Sequence, residues 1–324
     1  MGLSYEFSIG SVSAKEKYLF TNSDIEQMLA CKNIDELCRL LCDKGYGDGD
    51  GDTVDEVIES HTKELWSYLK SITPDFEIFS PFIIQNDIHN LKVVLKGTMS
   101  DRDYKNLLVT PNTIDFNVIE EAVKNRKFSL FPEWLAKPAD EAYEILAHKS
   151  DARACDAIID AAAMKQMLVM SQKYSKFLSE YFKTLIFYND IKISIRCART
   201  GTTKDFLQKA LVDVDGFRKE EVIAAALKGI TTLEDELSKR SEYDCNIAIE
   251  EYKNSPSDFE KFVDNKLIKM AKERCKFTRE GAEPLIGFYL GNIAEKTVIH
   301  IIAIGIRTKS DESTIRERLR EIYG

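Results

Sequence analysis

The stretch Asn90-Leu91-Lys92-Val93-Val94-Leu95-Lys96 has two echoes farther along the chain. Asp190-Ile191-Lys192 answers its first three residues, Ile193 and Ile195 continue the apolar run, and Arg196 stands where Lys96 does. Val298-Ile299-His300-Ile301-Ile302 is a weaker third copy, in which Gly305 follows His300 as Gly97 follows Lys92. A polar residue, an aliphatic, a base and an apolar run make a short pattern. Its weight comes from the recurrence at intervals of about a hundred residues. Copies of one unit bury their apolar faces against their neighbours, so the repetition predicts a scaffold whose shape is its function.

The repetition extends upstream. A short helical stretch with an aliphatic step precedes each copy, at Ile34 to Leu37, Phe128 to Leu130 and Ile230 to Leu233. An acidic or polar connection follows, then a long helix, a break, and the helix that holds the base. The predicted unit is two short helices followed by two long ones, and its three copies set domains at residues 1–108, 109–212 and 213–324.

Length and composition agree with a body of three parts. The chain has 324 residues, 44% apolar and 10% aromatic, ample for several cores. Its net charge of −9 is spread with acids and bases mixed, which argues against nucleic acid as a partner, since that calls for a concentrated basic surface. No apolar run reaches the roughly 20 residues that cross a bilayer. The first residues carry no charged-then-apolar signal, so a cytoplasmic protein without its own transmembrane segment is expected. Seven cysteines with no CxxC spacing read as buried reduced thiols.

The periodicity is helical almost throughout. Thr53 and Glu56 form a capping box ahead of Val54, Val57, Ile58, Leu65, Leu69 and Ile72 at three-and-four spacing, and Thr73-Pro74 ends that helix. The next helix is expected over 75–96, kinked at Pro81 and stopped by Gly97. Asp151 to Arg199 contains neither Gly nor Pro and predicts two long helices or one bent one. Ser257 and Glu260 suggest a second capping box, with Gly281 closing that helix before Glu283-Pro284 opens its partner. Val298 to Ile306 is β-branched enough to suit a strand, but its sister segments favour helix.

Several constellations could carry chemistry. Asp48-Gly49-Asp50-Gly51-Asp52 with Glu59 has the ligand spacing of a calcium loop, but Thr53 stands where the turn needs glycine and already caps the next helix. A flexible acidic turn is the better reading. Gly45 to Gly49 follows a helix and is crowded with carboxylates, which excludes a phosphate cradle. Gly201-Thr202-Thr203-Lys204 lacks the earlier glycine of a phosphate loop and reads as a turn. None of the histidines His61, His89, His148 and His300 stands in a metal-binding motif, and Glu144 with His148 reads as a surface pair one helical turn apart. No nucleophile elbow, metal set or cofactor site is expected. Lys92, Lys192 and Arg196 remain: bases beside apolar stripes reach a carboxylate or helix-end carbonyl, or else contact a partner. Charge reversal at Lys92 is expected to unfold its domain.

Asp87-Ile88-His89-Asn90-Leu91-Lys92, its echo at Asp190-Ile191-Lys192, the run Glu283-Pro284-Leu285-Ile286-Gly287-Phe288-Tyr289-Leu290 and the ending Ile315-Arg316-Glu317-Arg318-Leu319-Arg320 resemble the C-subunit family of A/V-type rotary ATPases, whose vacuolar counterpart is the d-type subunit. The likeness runs the full length, though Val298 and His300 stand where that family tends to place a polar residue and a base. The resemblance implies an all-α protein of three similar helical domains arranged as a funnel about a pseudo-threefold axis. It implies a non-catalytic rotor adaptor without cofactors, seated on the cytoplasmic face of the membrane rotor ring and receiving the central stalk. Asp87, Asn90, Lys92, Asp190, Lys192, Arg196 and Glu283 are the structural or interface residues it points to. A generic helical-repeat scaffold with another partner and a helical metalloenzyme are the alternatives.

Overall fold

Three-and-four spacing of apolar residues becomes a buried helix face almost everywhere in the computed structural model, which describes residues 3–47, 53–240 and 242–324. Among these residues there is no strand. The predicted order of two short helices and two long ones holds in the first series alone: the second has one short helix, a 3-10 turn and three longer helices, and the third has three short helices before its two long ones. After α1 (Tyr5–Lys15) come the short α2 (Asn22–Leu29) and α3 (Ile34–Asp43), then the long α4 (Val54–Ile72) and α5 (Ser80–Ser100). The second series is α6 (Phe116–Lys124), α7 (Glu133–Lys149), α8 (Ala152–Tyr174) and α9 (Lys176–Thr200), with a 3-10 turn at Phe128–Leu130. After α10 (Lys204–Ala210), the third is α11 (Lys219–Ala226), α12 (Ile230–Ser238), α13 (Cys245–Asn254), α14 (Pro256–Cys275) and α15 (Glu283–Thr308), followed by α16 (Glu312–Arg318).

Two compact units divide the chain: Met1–Phe76 with Glu250–Gly324, and Glu77–Ile249. In the first, α15 packs on α3 and α4 of the opening segment and on its own partner α14. Val298, Ile299 and Ile302 of α15 enter one core with Met28, Leu37, Leu41, Val54 and Val57. In the second, α5 packs on α6 and α8, and α9 on α11 and α12. α5 and α9 thus lie on helices that follow them in the chain, and α15 lies on helices of the opening segment.

Aligning Asn90, Asp190 and Val298 brings the buried positions of the three helices into one register. Asp87, Asn90, Leu91, Val94, Leu95 and Gly97 are buried in α5; Phe187, Asp190, Ile191, Ser194, Ile195 and Cys197 in α9; Glu295, Val298, Ile299, Ile302, Ala303 and Gly305 in α15. Gly97 and Gly305 share a further duty. A Cβ on Gly97 would lie 2.2 Å from the Tyr104 ring, and one on Gly305 2.5 Å from Ile315. In both places the chain leaving the helix folds back across it, and only glycine leaves the room.

Helix ends follow local chemistry, with several departures from the sequence expectation. The Thr53–Glu56 capping box and the stop at Thr73 are present, and Val298–Ile306 is helical. The long second-series segment is two helices, separated where extended Ser175 accepts from the Leu178 N–H and caps α9. Pro81 does not kink a helix: residues Phe76–Phe79 form a 3-10 turn, and Pro81 lies in the first turn of α5, where its missing N–H costs nothing. Gly97 does not stop α5, which continues to Ser100 and ends at left-handed Asp101. The cap of α14 is Ser255 with Asp258, not Ser257 with Glu260; Pro256 occupies the first turn, so the preceding residue takes the extended cap conformation. That helix ends at Cys275, ahead of Gly281.

By length and composition α15 is apolar enough to cross a membrane, a property that the sequence expectation gave to no segment; two thirds of its apolar window, 67%, is buried inside the protein, as befits a core helix. All seven cysteines are free, five of them buried. The acidic stretch Asp48–Asp52 lies outside the described residues.

Candidate functional site

Carboxylates on the long helices hold backbone amides of extended segments between other helices. Asp87 of α5 is fully buried; its Oδ1 accepts from the N–H groups of Thr113 (2.8 Å) and Ile114 (3.0 Å), and its Oδ2 from the Thr113 hydroxyl at 2.5 Å. One turn on, Asn90 is paired twice with Val109, accepting from its N–H at 2.9 Å and donating to its carbonyl at 3.0 Å. Asp190 of α9, at the register position of Asn90, accepts from the Val212 N–H at 2.8 Å. Glu295 of α15, at the register position of Asp87, accepts from the Phe20 N–H ahead of α2 and from the Tyr46 hydroxyl at 2.6 Å.

Extended segments between helices have no ladder partners, so their buried N–H groups need an acceptor from elsewhere; a carboxylate, with its several lone pairs, serves two or three at once. Burial raises the proton affinity of each acid against the opposing pull of these donors. Asp87 is raised by burial despite the bonds from Thr113 and Ile114. Asp190 is raised well above the carboxylate range by burial, against the Val212 N–H and the charge of Lys219. Glu295 is raised by burial to about 7, with the nearby charge of Asp24 adding to the effect and the Tyr46 and Phe20 donors opposing it.

The bases lie on the outer side of the same helices. Lys92 is bonded to Asp160 of α8, and Lys96 to Asp156 one turn earlier at 2.7 Å. His300, at the register position of Lys92, lies 3.7 Å from Asp55 of α4, which Arg307 also approaches. Lys192 and Arg196 line a groove of about 500 Å³ among α8, α9 and α10, together with Arg153, Asp156 and Asp160. The Arg153 guanidinium lies 4.5 Å over the Phe206 ring in that groove. Asp160 and Asp156, bonded to Lys92 and Lys96, thus share a groove with Lys192 and Arg196, a surface of mixed charge.

Glu283 stands apart from this set, in the first turn of α15, with its carboxylate folded back over Gly281. Farther along that motif, Gly287 and Gly291 form a flat stripe against Tyr323. Arg316 of the C-terminal motif grips Glu26 of α2 with both guanidinium ends, at 2.7 and 2.5 Å, and also reaches Glu312. Arg320 bonds Asp264 of α14 at 2.9 Å. Glu295 and Tyr46 form a buried pair that the sequence expectation missed. The available signal was that Glu295 precedes Val298 by three residues as Asp87 precedes Asn90.

The arrangement is one of acceptors pinned to amides and bases pinned to acids. His89 Nε2 lies 2.9 Å from the Leu107 carbonyl, and His148 pairs with Glu144 at 2.9 Å on the surface. Among the described residues no three of His, Cys, Asp and Glu are grouped as metal ligands. Gly201 is the C-cap of α9 and Thr203 the N-cap of α10, so that segment is a turn between helices.

Residues 8–318 match the ATP synthase (C/AC39) subunit family. The chain belongs to that family. Among its relatives is the C-type subunit of the V-type sodium ATPase of Enterococcus hirae, 20% identical over 327 residues that cover 96% of this chain and 97% of the relative. Another is the C-type subunit of the A-type ATP synthase of Methanocaldococcus jannaschii, 20% identical over 332 residues, 90% of this chain and 80% of the relative. Identity this low across the whole length matches what the geometry asks of the sequence: apolar faces in register and a few acids at helix-to-segment junctions, with the rest free to vary. As a member of this family, the chain has the other subunits of a rotary ATPase as its partners.

Proposed function

We propose that this chain is the non-catalytic rotor adaptor of a V/A-type ATPase. In this reading, three similar helical domains at residues 1–108, 109–212 and 213–324 enclose a funnel. Its hollow receives the central stalk, and its wide end rests on the cytoplasmic face of the membrane rotor ring, keeping the adaptor peripheral to the membrane. The adaptor turns with the rotor and passes torque between ATP hydrolysis or synthesis and H⁺ or Na⁺ transport.

The observation that carries the proposal is a recurring contact in which a long helix holds an extended segment: Asp87 and Asn90 hold residues 109–114, Asp190 holds the Val212 amide at the end of the second proposed domain, and Glu295 holds the Phe20 amide of the first. The packing of α15 on α3 and α4 of the opening segment is what closure of a repeat array would require. Such closure suits a coupling that must resist twisting, since close-packed helices have low compressibility and transmit strain. The mixed charge of the α8–α9 groove suits a partner contact that is specific and sensitive to salt.

The test is affinity purification of the tagged chain from mildly solubilised membranes. Stalk and rotor-ring subunits should come with it in stoichiometric amounts, and ATP hydrolysis by complexes lacking the chain should persist while ion transport is lost. Recovery of an unrelated partner in place of these subunits would support a generic scaffold and overturn the proposal.

A further inference from the structure

The first helix, α1, has apolar residues on two opposite faces, and the protein's own helices cover one of them. Ser8, Ile9 and Val12 are buried where α1 packs on α15 and α4, all within the unit formed by Met1–Phe76 and Glu250–Gly324. The other face runs Leu3, Phe7, Gly10 and Ala14, at intervals of four, three and four residues, and Tyr18 of the 3-10 turn Glu16–Tyr18 extends it. Leu3 is 47% exposed, Phe7 59% and Tyr18 77%, and a Cβ on Gly10 would meet nothing within 4 Å. Such spacing, between three and four residues, makes the narrow seam along which one helix receives another, and a helix apolar on both sides is ordinarily buried on both.

The stripe has a shape as well as a spacing. Its first half carries bulk at Leu3 and Phe7, its middle is bare backbone at Gly10, and the small Ala14 leaves a dent ahead of Tyr18. Turned end over end about a point beside Gly10, the stripe fits itself. Phe7 then falls opposite Ala14 and Leu3 opposite Tyr18, while the glycine lets the two backbones come close. Charge follows the same reversal. Glu6 and Lys17 lie about three turns apart on one flank of the stripe, so an antiparallel pair sets the acid of each helix beside the base of the other. A parallel pair would set Phe7 on Phe7 and Glu6 on Glu6. Lys15, on the other flank, is turned to its own chain, with its ammonium 5.2 Å over the Tyr68 ring. A lipid surface calls for a broad apolar face bordered by several bases, which a stripe one residue wide beside Ser4, Glu6 and Ser13 does not offer.

We propose that α1 is a self-association surface, which pairs antiparallel with the α1 of a second copy about a twofold axis beside Gly10. The contact is isologous, each stripe supplying both the bulk and the dent. One helix pair is small beside the interface of a stable dimer, so the association is weak, with a dissociation constant of about 10–100 μM. In a chain that has not met the other subunits, the pairing keeps the stripe from water. It is a property of the free chain and stands or falls separately from the rotor-adaptor reading.

Sedimentation equilibrium of the purified full chain, from about 1 to 300 μM in about 150 mM salt, tests it. The expected result is a reversible monomer–dimer equilibrium that Phe7→Glu weakens about tenfold or more. Phe7 is exposed, so this variant should keep the melting temperature of the dilute, monomeric chain. The sharper arm exchanges the sizes. Phe7→Ala and Ala14→Phe should each weaken the dimer, and the two together, which again set bulk opposite dent, should restore it to within about threefold. A chain that stays monomeric throughout, a dimer indifferent to Phe7→Glu, or a double variant as weak as the single ones would each overturn the proposal. So would binding to phosphatidylcholine–phosphatidylserine vesicles without self-association, which would assign the stripe to a membrane surface.

Discussion

At the scale of single residues, the buried acids are the departure from an ordinary helical core. Glu295 binds its proton to about 7 in the folded chain against an ordinary 4.5, and the shift has a definite sign in stability. Between those values the folded state holds a proton that the unfolded state has released, so stability falls as pH rises from about 4.5 to 7 and then levels. The size of the effect is about 3 kcal/mol. Urea unfolding at pH 5 and pH 8 should show this loss, and Glu295→Gln should remove most of the difference. Its amide can accept from the Phe20 N–H and donate to the Tyr46 oxygen with no charge to desolvate. Lys92 is a milder case than its sequence setting implied. Its ammonium is 21% exposed and the Asp160 carboxylate 45%, so the pair is screened and worth about 1 kcal/mol. Lys92→Glu is therefore expected to lower the melting temperature by a few degrees without unfolding the protein, and Asp160→Lys in the same chain to restore it.

At the scale of elements, the helix ends and crossings give the sharpest tests. Ser255 caps α14, and Ser255→Ala should cost about 1 kcal/mol in thermal or denaturant unfolding, whereas Ser257→Ala should be nearly neutral because its hydroxyl lies inside the first turn. Equal effects would return the cap to the position read from sequence. Gly97→Ala sets two effects against each other. Alanine favours a helix interior by about 1 kcal/mol. Its Cβ, however, would stand 2.2 Å from the Tyr104 ring, and overpacking of this kind costs about 1–3 kcal/mol. A net loss of stability is expected, relieved by a second substitution of Tyr104 to Ala. The same logic applied to Gly305 and Ile315 makes the two crossings equivalent in kind.

At the scale of the whole molecule, the prediction concerns assembly rather than folding. Arg196 is exposed on α9 and lines the α8–α9 groove. Arg196→Glu should leave the melting temperature within about a degree of the unaltered chain while reducing recovery of stalk subunits in pull-downs, with the reduction largest at low salt. Lys92→Glu should show the opposite balance, a measurable loss of stability with assembly retained at permissive temperature.

The periodic apolar spacing and the Thr53 cap were sufficient to establish an all-helical chain, because these features depend on neighbours three, four or seven residues away. Sequence also singled out Asp87 and Asp190, through the Asp87-Ile88-His89-Asn90-Leu91-Lys92 motif and its echo at Asp190-Ile191-Lys192. It could not assign their partners. Which backbone amides an acid satisfies depends on where a segment some 20 residues later, or at the other end of the chain, comes to rest. For the same reason the groups around Glu295, from Phe20, Tyr46, His61 and Asn292, were invisible until the first and last segments packed into one unit. Local spacing specified the elements; long-range packing chose the partners of the buried acids, because a carboxylate withdrawn from water takes whatever donor the fold brings within reach.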